Sequence, residues 1–279
     1  MNRACTAAAL ALGAISLAVV LTACTSERGA TDAASATPAP ASGSSDAVSP
    51  LDGELTVFAA ASLGNAFDEL AARFEHLHPS LDVLPITYDG SSVLATQLIE
   101  GARADVFASA DEKNLDRVAE EGLVDGEPEV FATNALEIAV APGNPLGIEG
   151  LDDLADDAAP APLVIVCAPA VPCGAAATTL FEEAGVQVTP ASEEQNVTAV
   201  LTKVRAGEAD AGLVYVTDIA AAGDEVEGVA IDGADAAVNR YPIAALAGAP
   251  NPEAAAAFAE FVTSPDGAAI LESFGFGAP

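Results

Sequence analysis

From residue 54 onward the chain alternates between short apolar segments and longer segments whose apolar residues recur with helical spacing. Residues 56–74, TVFAAASLGNAFDELAARF, show the first such pair: a short apolar run, then Leu63, Phe67, Leu70 and Phe74 on one helical face. This alternation predicts an α/β fold with mostly parallel sheets flanked by helices. In sheets of this kind ligands bind beyond the carboxyl ends of the strands, where the helices begin.

The same pattern continues to the end of the chain. Strands are predicted at 55–61, 81–88, 104–111, 129–143, 162–169, 211–218 and 241–248, and helices at about 63–74, 91–102, 113–121, 150–156, 174–185 and 196–210. Asn251 and Ser264 each precede a proline, which is the sequence expected of an N-cap and first helical position, so two further helices are predicted at the C-terminus.

The N-terminal segment has the composition of an export signal. Arg3 is the only charged residue before Glu27, and residues 7–21 form an apolar run too short for an ordinary membrane-spanning helix. Residues 21–24, LTAC, resemble a bacterial lipobox, which implies that residues 1–23 are a signal peptide and that Cys24 carries a lipid. The alternative is an ordinary signal peptide with an incidental cysteine.

Residues 24–52 are rich in Ala, Ser, Thr, Pro and Gly and show no apolar periodicity. Such a segment buries too little surface to offset its ordering entropy, so it is predicted to be a flexible tether. The lipobox then predicts an extracytoplasmic protein, attached by its lipid alone to the outer face of the bacterial cytoplasmic membrane.

The charge balance restricts the partners. The chain has 42 acidic and 9 basic residues and a formal net charge of −33, which makes nucleic acid an unfavourable partner.

Two cysteines remain after the export segment. Cys167 and Cys173 flank a short loop that contains two prolines, in the sequence VCAPAVPCG. Since disulfides persist outside the cytoplasm, the pair is predicted to form one; two buried thiols are the alternative.

Several predicted helices begin with small or hydroxyl residues. Ser62 follows three alanines, Ser91 follows a glycine, and Cys173 and Val197 lie at two later helix starts, while Tyr215 follows a strand. A helix N-terminus offers unpaired N–H groups and roughly half a positive charge, so it suits an anion when small side chains let the anion approach. Each junction taken alone is explained by helix capping, and Tyr215 alone by the core. Together they predict an anion site without a cationic side chain.

At these junctions residues 54–279 resemble the molybdate-binding proteins of ABC importers. The resemblance lies in TVFAAASLGNAF, the GSS and ADVFASAD segments, the PCG before a helix, and NVTAVLTKVRAGEADAGLVYVTD. It implies a type II periplasmic-binding-protein-like fold with residues 53–134 and 232–279 in one lobe, 135–231 in the other, and the ligand in the cleft between them. It also implies a monomer that serves a molybdate permease with its ATPase, and that has no cofactor.

The resemblance also implies a role for each junction residue. Ser62 and Ser91 would donate hydroxyl and backbone N–H bonds, Tyr215 its phenol, and Val197 and Cys173 their backbone N–H groups. The family commonly has alanine where this chain has Cys173, a change that leaves the backbone donor in place. Molybdenum would be present only inside the oxyanion, with no direct protein–metal ligand.

Asp89, directly before Gly90 and Ser91, is unexpected beside a dianion. We expect its carboxylate to point to solvent.

Other functions fit the residues less well. A binder of sulfate or phosphate with the same architecture is the main alternative. A serine hydrolase is disfavoured because His76 and His78 lie about 20 Å along the helix from Ser62. A metal site is disfavoured because histidines and cysteines are not clustered. Tungstate, which matches molybdate in size and charge, is expected to bind nearly as well.

Overall fold

The computed structural model describes residues 50–279. The predictions of a signal peptide over 1–23 and a lipid on Cys24, and nearly all of the tether, lie outside the described residues. Within the described part no helix has both the length and the apolar character needed to cross a membrane.

Residues 50–279 form twelve strands and eight α-helices. The strands are β1 (Asp52–Leu55), β2 (Val57–Ala60), β3 (Ser80–Val83), β4 (Thr87–Asp89), β5 (Val106–Ala108), β6 (Val124–Asn134), β7 (Leu136–Val140), β8 (Val164–Cys167), β9 (Ser192–Glu194), β10 (Ala211–Tyr215), β11 (Glu227–Val229) and β12 (Asn239–Leu246). The helices are α1 (Gly64–Leu77), α2 (Ser91–Ile99), α3 (Glu112–Glu120), α4 (Pro172–Ala184), α5 (Val197–Arg205), α6 (Val216–Ala222), α7 (Pro252–Thr263) and α8 (Pro265–Ser273).

The strands form two five-stranded sheets and one short two-stranded sheet. The first sheet has the order β4-β2-β5-β12-β6, and the second has the order β11-β7-β10-β8-β9. Strands β1 and β3 pair separately. We call the first sheet, the β1–β3 pair and helices α1–α3, α7 and α8 the first lobe, and the second sheet with α4–α6 the second lobe.

Both large sheets are mixed, whereas the sequence pattern predicted mostly parallel sheets. In the first, β2 is parallel to β4 and β5, but β12 is antiparallel to β5 and β6. In the second, β8 is parallel to β9 and β10, but β7 is antiparallel to β10 and β11. The reversed strands have a common cause, because β7 and β12 each enter their sheet from the other lobe rather than through a helix of the same sheet.

The chain passes between the sheets at two places. Strand β6 of the first sheet ends at Asn134 and β7 of the second begins at Leu136. The return lies between β11, which ends at Val229, and β12, which begins at Asn239.

The helical periodicity identifies the buried face of α1 correctly. In α1, the residues Ala66, Phe67, Leu70 and Phe74 are buried. The side chains of Asn251 and Ser264 accept hydrogen bonds from the first turns of α7 and α8, which confirms both predicted N-caps.

Several predicted elements differ from those in the structure; for example, the helix predicted at 150–156 is only a 3₁₀ turn at Leu151–Leu154. The segment predicted as one strand over 81–88 is split into β3 and β4 around Pro85, which has no N–H to donate to a sheet. The segment predicted as a strand over 211–218 ends at Tyr215, and α6 follows at once. Strands β9 and β11 were not predicted, because three-residue strands carry too little periodicity to be recognised.

Candidate anion-binding site

A small cavity lies where the first turns of three helices and the ends of three strands meet between the lobes. Its volume is about 10 Å³, so it admits only a compact group unless its walls move. The cavity is lined by Ala60, Ala61, Ser62, Asp89, Gly90, Ser91 and Ala110 of the first lobe and by Val171, Pro172, Cys173, Asn196, Val197 and Tyr215 of the second. The structure therefore brings all five predicted site residues to one place.

Ser62 lies in a short 3₁₀ turn between β2 and α1, after the buried Ala59 and Ala60. Its hydroxyl oxygen is 3.0 Å from the phenol oxygen of Tyr241, a residue of β12 that is fully buried. Because a hydroxyl both donates and accepts, this contact orients Ser62 and still leaves it capacity for a ligand. The sequence did not single out Tyr241 as a partner, because the two residues are far apart in the chain.

Ser91 is the first residue of α2 and is 1% exposed. Its hydroxyl oxygen accepts a 2.9 Å hydrogen bond from the backbone N–H of Ala110, which follows β5. With the oxygen held as an acceptor, the hydroxyl hydrogen is free to donate elsewhere, and the residue lines the cavity. Ala110 therefore positions the donor, a role that the sequence reasoning did not anticipate.

The second lobe contributes two helix N-termini. Helix α4 begins at Pro172, which has no N–H, so the first N–H of the helix belongs to Cys173. Helix α5 begins at Val197, and its N-cap Asn196 accepts a 2.9 Å bond from the N–H of Ala199. First-turn N–H groups have no carbonyl partner within their own helix, so those of Cys173 and Val197 are donors at the positive ends of two helices.

Tyr215 ends β10 and is 1% exposed. Its phenol oxygen is buried and has no hydrogen-bond partner among the described residues. Burial, with the nearby Tyr241 phenol as the next contribution, raises the pKa of Tyr215 above its ordinary value, so the hydroxyl stays protonated at neutral pH. An unpaired buried donor at a cavity wall is unfavourable unless a ligand accepts its bond.

Behind Tyr215 lies Asp218, in the first turn of α6. Its carboxylate accepts a 2.9 Å bond from the backbone N–H of Tyr215. Burial raises the pKa of Asp218 from its ordinary 3.8 to about 7. The sequence did not mark this residue, because its burial depends on how α6 packs.

No lysine, arginine or histidine is among the described residues that line the cavity. Of the described residues in the wall, Asp89 is the one that is charged, and here the expectation of a solvent-facing carboxylate is wrong. Asp89 Oδ1 accepts a 2.7 Å bond from the N–H of Gly90 and a 2.9 Å bond from Nδ2 of Asn196 in the other lobe. The contact between lobes holds this side chain inward, and sequence position alone could not reveal it.

Cys167 and Cys173 form a disulfide, as predicted. It joins the end of β8 to the first turn of α4 and so holds the helix start that presents the Cys173 N–H. The next residue, Gly174, allows a close backbone approach, since a Cβ there would lie 2.0 Å from the carbonyl oxygen of Ala168.

Within residues 50–279 the structure contains no group of three or more His, Cys, Asp or Glu side chains suited to a metal ion. His78 directly follows the last residue of α1, and the centroid of its ring lies 4.6 Å from that of Phe74.

Comparisons with known proteins identify the family of this chain. The family model described as bacterial extracellular solute-binding protein matches residues 55–277. Over 225 residues the chain is 44% identical to the molybdate-binding protein ModA of Mycobacterium tuberculosis, covering 81% of this chain and 85% of that protein.

Two solved structures share the fold at lower identity. The periplasmic molybdate-binding protein of Azotobacter vinelandii has a TM-score of 0.67 at 21% identity, over 81% of this chain and 99% of that one. The sulfate-binding protein SubI of Mycobacterium tuberculosis has a TM-score of 0.70 at 18% identity, over 80% of this chain and 86% of that one. Both likenesses concern the fold alone.

Proposed function

The chain belongs to the bacterial extracellular solute-binding protein family, and from this premise we propose that it binds molybdate outside the cytoplasm and delivers it to an ABC transporter. As a member of this family it is a binding protein and not an enzyme. The oxyanion is its cargo, and we propose that it needs no resident cofactor.

One observation carries the choice of ligand class. Within residues 50–279 the phenol of Tyr215 is a buried donor without a hydrogen-bond partner, and Tyr215 lines a cavity together with two serines and two helix N-termini. Among the described residues this wall offers hydrogen-bond donors and positive dipole ends but no cationic side chain. We propose that Ser62, Ser91 and Tyr215 donate through their hydroxyls, and Cys173 and Val197 through their backbone N–H groups, to the oxygens of one oxyanion.

Molybdate suits this wall because it is a dianion with four acceptor oxygens and no proton at neutral pH. Hydrogen phosphate carries a proton that requires an acceptor, and an unmet buried polar group is unfavourable by about 1–3 kcal/mol. Donor geometry alone therefore disfavours phosphate by roughly tenfold to hundredfold.

Sulfate is the second candidate, and the structural likeness to a sulfate-binding protein favours it as the alternative. Sulfate also lacks a proton, so hydrogen-bond type does not separate it from molybdate. It is the smaller ion, so in a site shaped for molybdate it leaves some donors without a partner. The 44% identity to a molybdate-binding protein supports molybdate as the preferred ligand.

Isothermal titration of the oxidised protein, truncated to residues 50–279, with molybdate, tungstate, sulfate and phosphate tests the proposal. We expect molybdate and tungstate to bind with similar affinity, sulfate at least tenfold more weakly and phosphate more weakly still. Preferential binding of sulfate would establish the alternative. Binding of none of the four ions would refute an oxyanion-binding role.

For the partners we propose a molybdate permease with its ATPase, served by a monomer tethered through a lipid on Cys24. The support is the family membership and the sequence LTAC before the tether. Mass spectrometry of the mature N-terminus in a bacterial host tests the anchor. A diacylglyceryl group on Cys24 is expected, and Cys24→Ser should release the protein from the membrane; an unmodified Cys24 would exclude the anchor.

A further inference from the structure

At the rim of the cavity the two lobes are in contact through two residues that are not among the predicted ligand donors. Asp89 Oδ1 of the first lobe accepts a 2.9 Å bond from Asn196 Nδ2 of the second. The same carboxylate oxygen accepts the N–H of Gly90, and the same asparagine caps α5 through its Oδ1. One pair of side chains thus connects the last residue of β4 to the N-cap of α5.

Gly90 makes this approach sterically possible. A Cβ at position 90 would lie 2.0 Å from the carbonyl oxygen of Gln195 and 3.4 Å from a methyl group of Val171, both in the second lobe. Its φ of −60° and ψ of 135° are open to any L residue. The requirement for glycine therefore comes only from the neighbouring lobe, and a side chain there would be tolerated if the lobes stood apart.

A carboxylate beside a dianion site is electrostatically unfavourable, so its presence calls for a structural reason. We propose that Asp89 and Asn196 form a latch that holds the two walls of the cavity together around the ligand, and that Gly90 is the residue that permits the latch to close. Asp89 is thus a positioning residue: through Asn196 it sets where the first-turn N–H groups of α5, including that of Val197, face Ser91 at the start of α2.

The inference depends on the proposed function for its ligand, but the two fail in different ways. If the unaltered protein binds no oxyanion, the proposed function fails. If it binds an oxyanion and the variants described below bind equally well, only the latch fails.

The first test removes the latch donor without changing charge or helix capping. Asn196→Ser retains an oxygen that caps α5, since serine and asparagine are comparable N-caps, but it cannot reach Asp89. Loss of a hydrogen bond to a charged group predicts a dissociation constant about tenfold to hundredfold higher, with the change mainly in the dissociation rate. The matched control is Asn251→Ser, the same substitution at the N-cap of α7, which should leave molybdate affinity unchanged.

The second test exchanges the donor and acceptor side chains between positions 89 and 196. Asn196→Asp still caps α5 but places two carboxylates face to face, so binding should weaken strongly. In the double variant D89N/N196D the asparagine at 89 can donate to the aspartate at 196, and affinity should return to within about threefold of the unaltered protein. Asp89→Ala alone separates the latch from a simple charge effect, because it removes both the negative charge and the oxygen that accepts the bond from Asn196. Repulsion alone predicts tighter binding by this variant, whereas the latch predicts weaker binding.

The third test uses the glycine. Gly90→Ala should weaken molybdate binding at least as much as Asn196→Ser, while the thermal midpoint of the ligand-free protein falls by no more than a few degrees. Gly64→Ala is the control, because a Cβ there meets nothing within 4 Å and the residue has helical φ and ψ. Binding by Gly90→Ala at the level of the unaltered protein, or tighter binding by Asp89→Ala, would overturn the latch.

Discussion

The two walls of the cavity differ in how their polar groups are satisfied. On the first-lobe wall, the hydroxyl of Ser62 contacts Tyr241 and the hydroxyl of Ser91 accepts the N–H of Ala110. On the second-lobe wall, the Tyr215 phenol has no partner among the described residues, and Asp218 behind it is buried with a single N–H for its carboxylate.

Because their polar groups are paired differently, the two walls contribute differently to ligand binding and to stability. Hydrogen bonds within the first lobe orient its donors before a ligand arrives, which lowers the entropy lost on binding. The second lobe contains buried polar groups that destabilise the fold when they lack hydrogen-bond partners. A ligand that accepts a bond from the Tyr215 hydroxyl removes this cost for Tyr215. We therefore expect changes on the second wall to separate stability from affinity, and changes on the first wall to affect both.

Asp218→Asn gives the largest expected effect. It tests how much the buried carboxyl group of Asp218 destabilises the second lobe. Because the pKa of about 7 lies above the ordinary 3.8, the folded protein holds a proton that the unfolded chain has lost between these pH values. The free energy of unfolding should therefore fall by at most about 4 kcal/mol as pH rises from about 4 to about 7. Above pH 7 it should stay at the lower value. Asparagine still accepts the Tyr215 N–H but does not ionise.

Urea unfolding at pH 5 and pH 8 measures this effect. The difference in unfolding free energy between the two pH values should shrink in Asp218→Asn relative to the unaltered protein. The exposed Asp224→Asn is the control and should retain the full difference. An equal pH dependence in all three proteins would show that Asp218 is ionised in the fold without penalty.

Ser91→Ala is the strongest change expected on the first wall. It removes one proposed ligand donor and leaves the Ala110 N–H without its acceptor. Molybdate affinity should fall by about tenfold to hundredfold and stability by about 1–3 kcal/mol. Ser92→Ala, one residue along the same helix and outside the cavity wall, is the matched control for titration and unfolding. Similar results for the two serines would remove Ser91 from the site.

Tyr215→Phe tests the contrast between the walls directly, because the hydroxyl it removes has no hydrogen-bond partner within residues 50–279. Affinity should fall by about tenfold to hundredfold while stability stays the same or rises. Tyr88→Phe is the opposite case, since its hydroxyl donates to Gly64 and Asp68 and does not line the cavity. That variant should lose some stability and keep its affinity. If Tyr215→Phe behaved in the same way, the division between the walls would be wrong.

Removal of the disulfide by the double change C167A/C173A has the smallest expected effect. The bond closes a short loop, so its loss should lower stability by about 2 kcal/mol. Affinity should fall less than in Tyr215→Phe, because the Cys173 N–H remains in the first turn of α4. Unfolding and titration of the double variant check both statements, and a loss of affinity larger than that of Tyr215→Phe would show that the disulfide directly determines the site.

Local patterns in the sequence were sufficient for most of the helices and for locating the five residues that the structure brings to the cavity. Apolar spacing identified the buried face of α1, and Asn251 and Ser264 identified two helix starts. The four junctions at Ser62, Ser91, Cys173 and Val197 lie at the cavity wall together with Tyr215. These features were predictable because helix capping, amphipathicity and small residues at a helix start depend on neighbours a few residues away.

Tertiary structure alone decided how those pieces face one another. Four features depend on how whole elements pack against one another. They are the reversed direction of β7 and β12, the bond from Asn196 to Asp89, the approach of Gln195 to Gly90 and the burial of Asp218. The sequence shows which groups can donate or accept a hydrogen bond and which can ionise. Whether each is paired, exposed or enclosed depends on contacts between distant segments, because burial and hydrogen-bond geometry are properties of the packed chain.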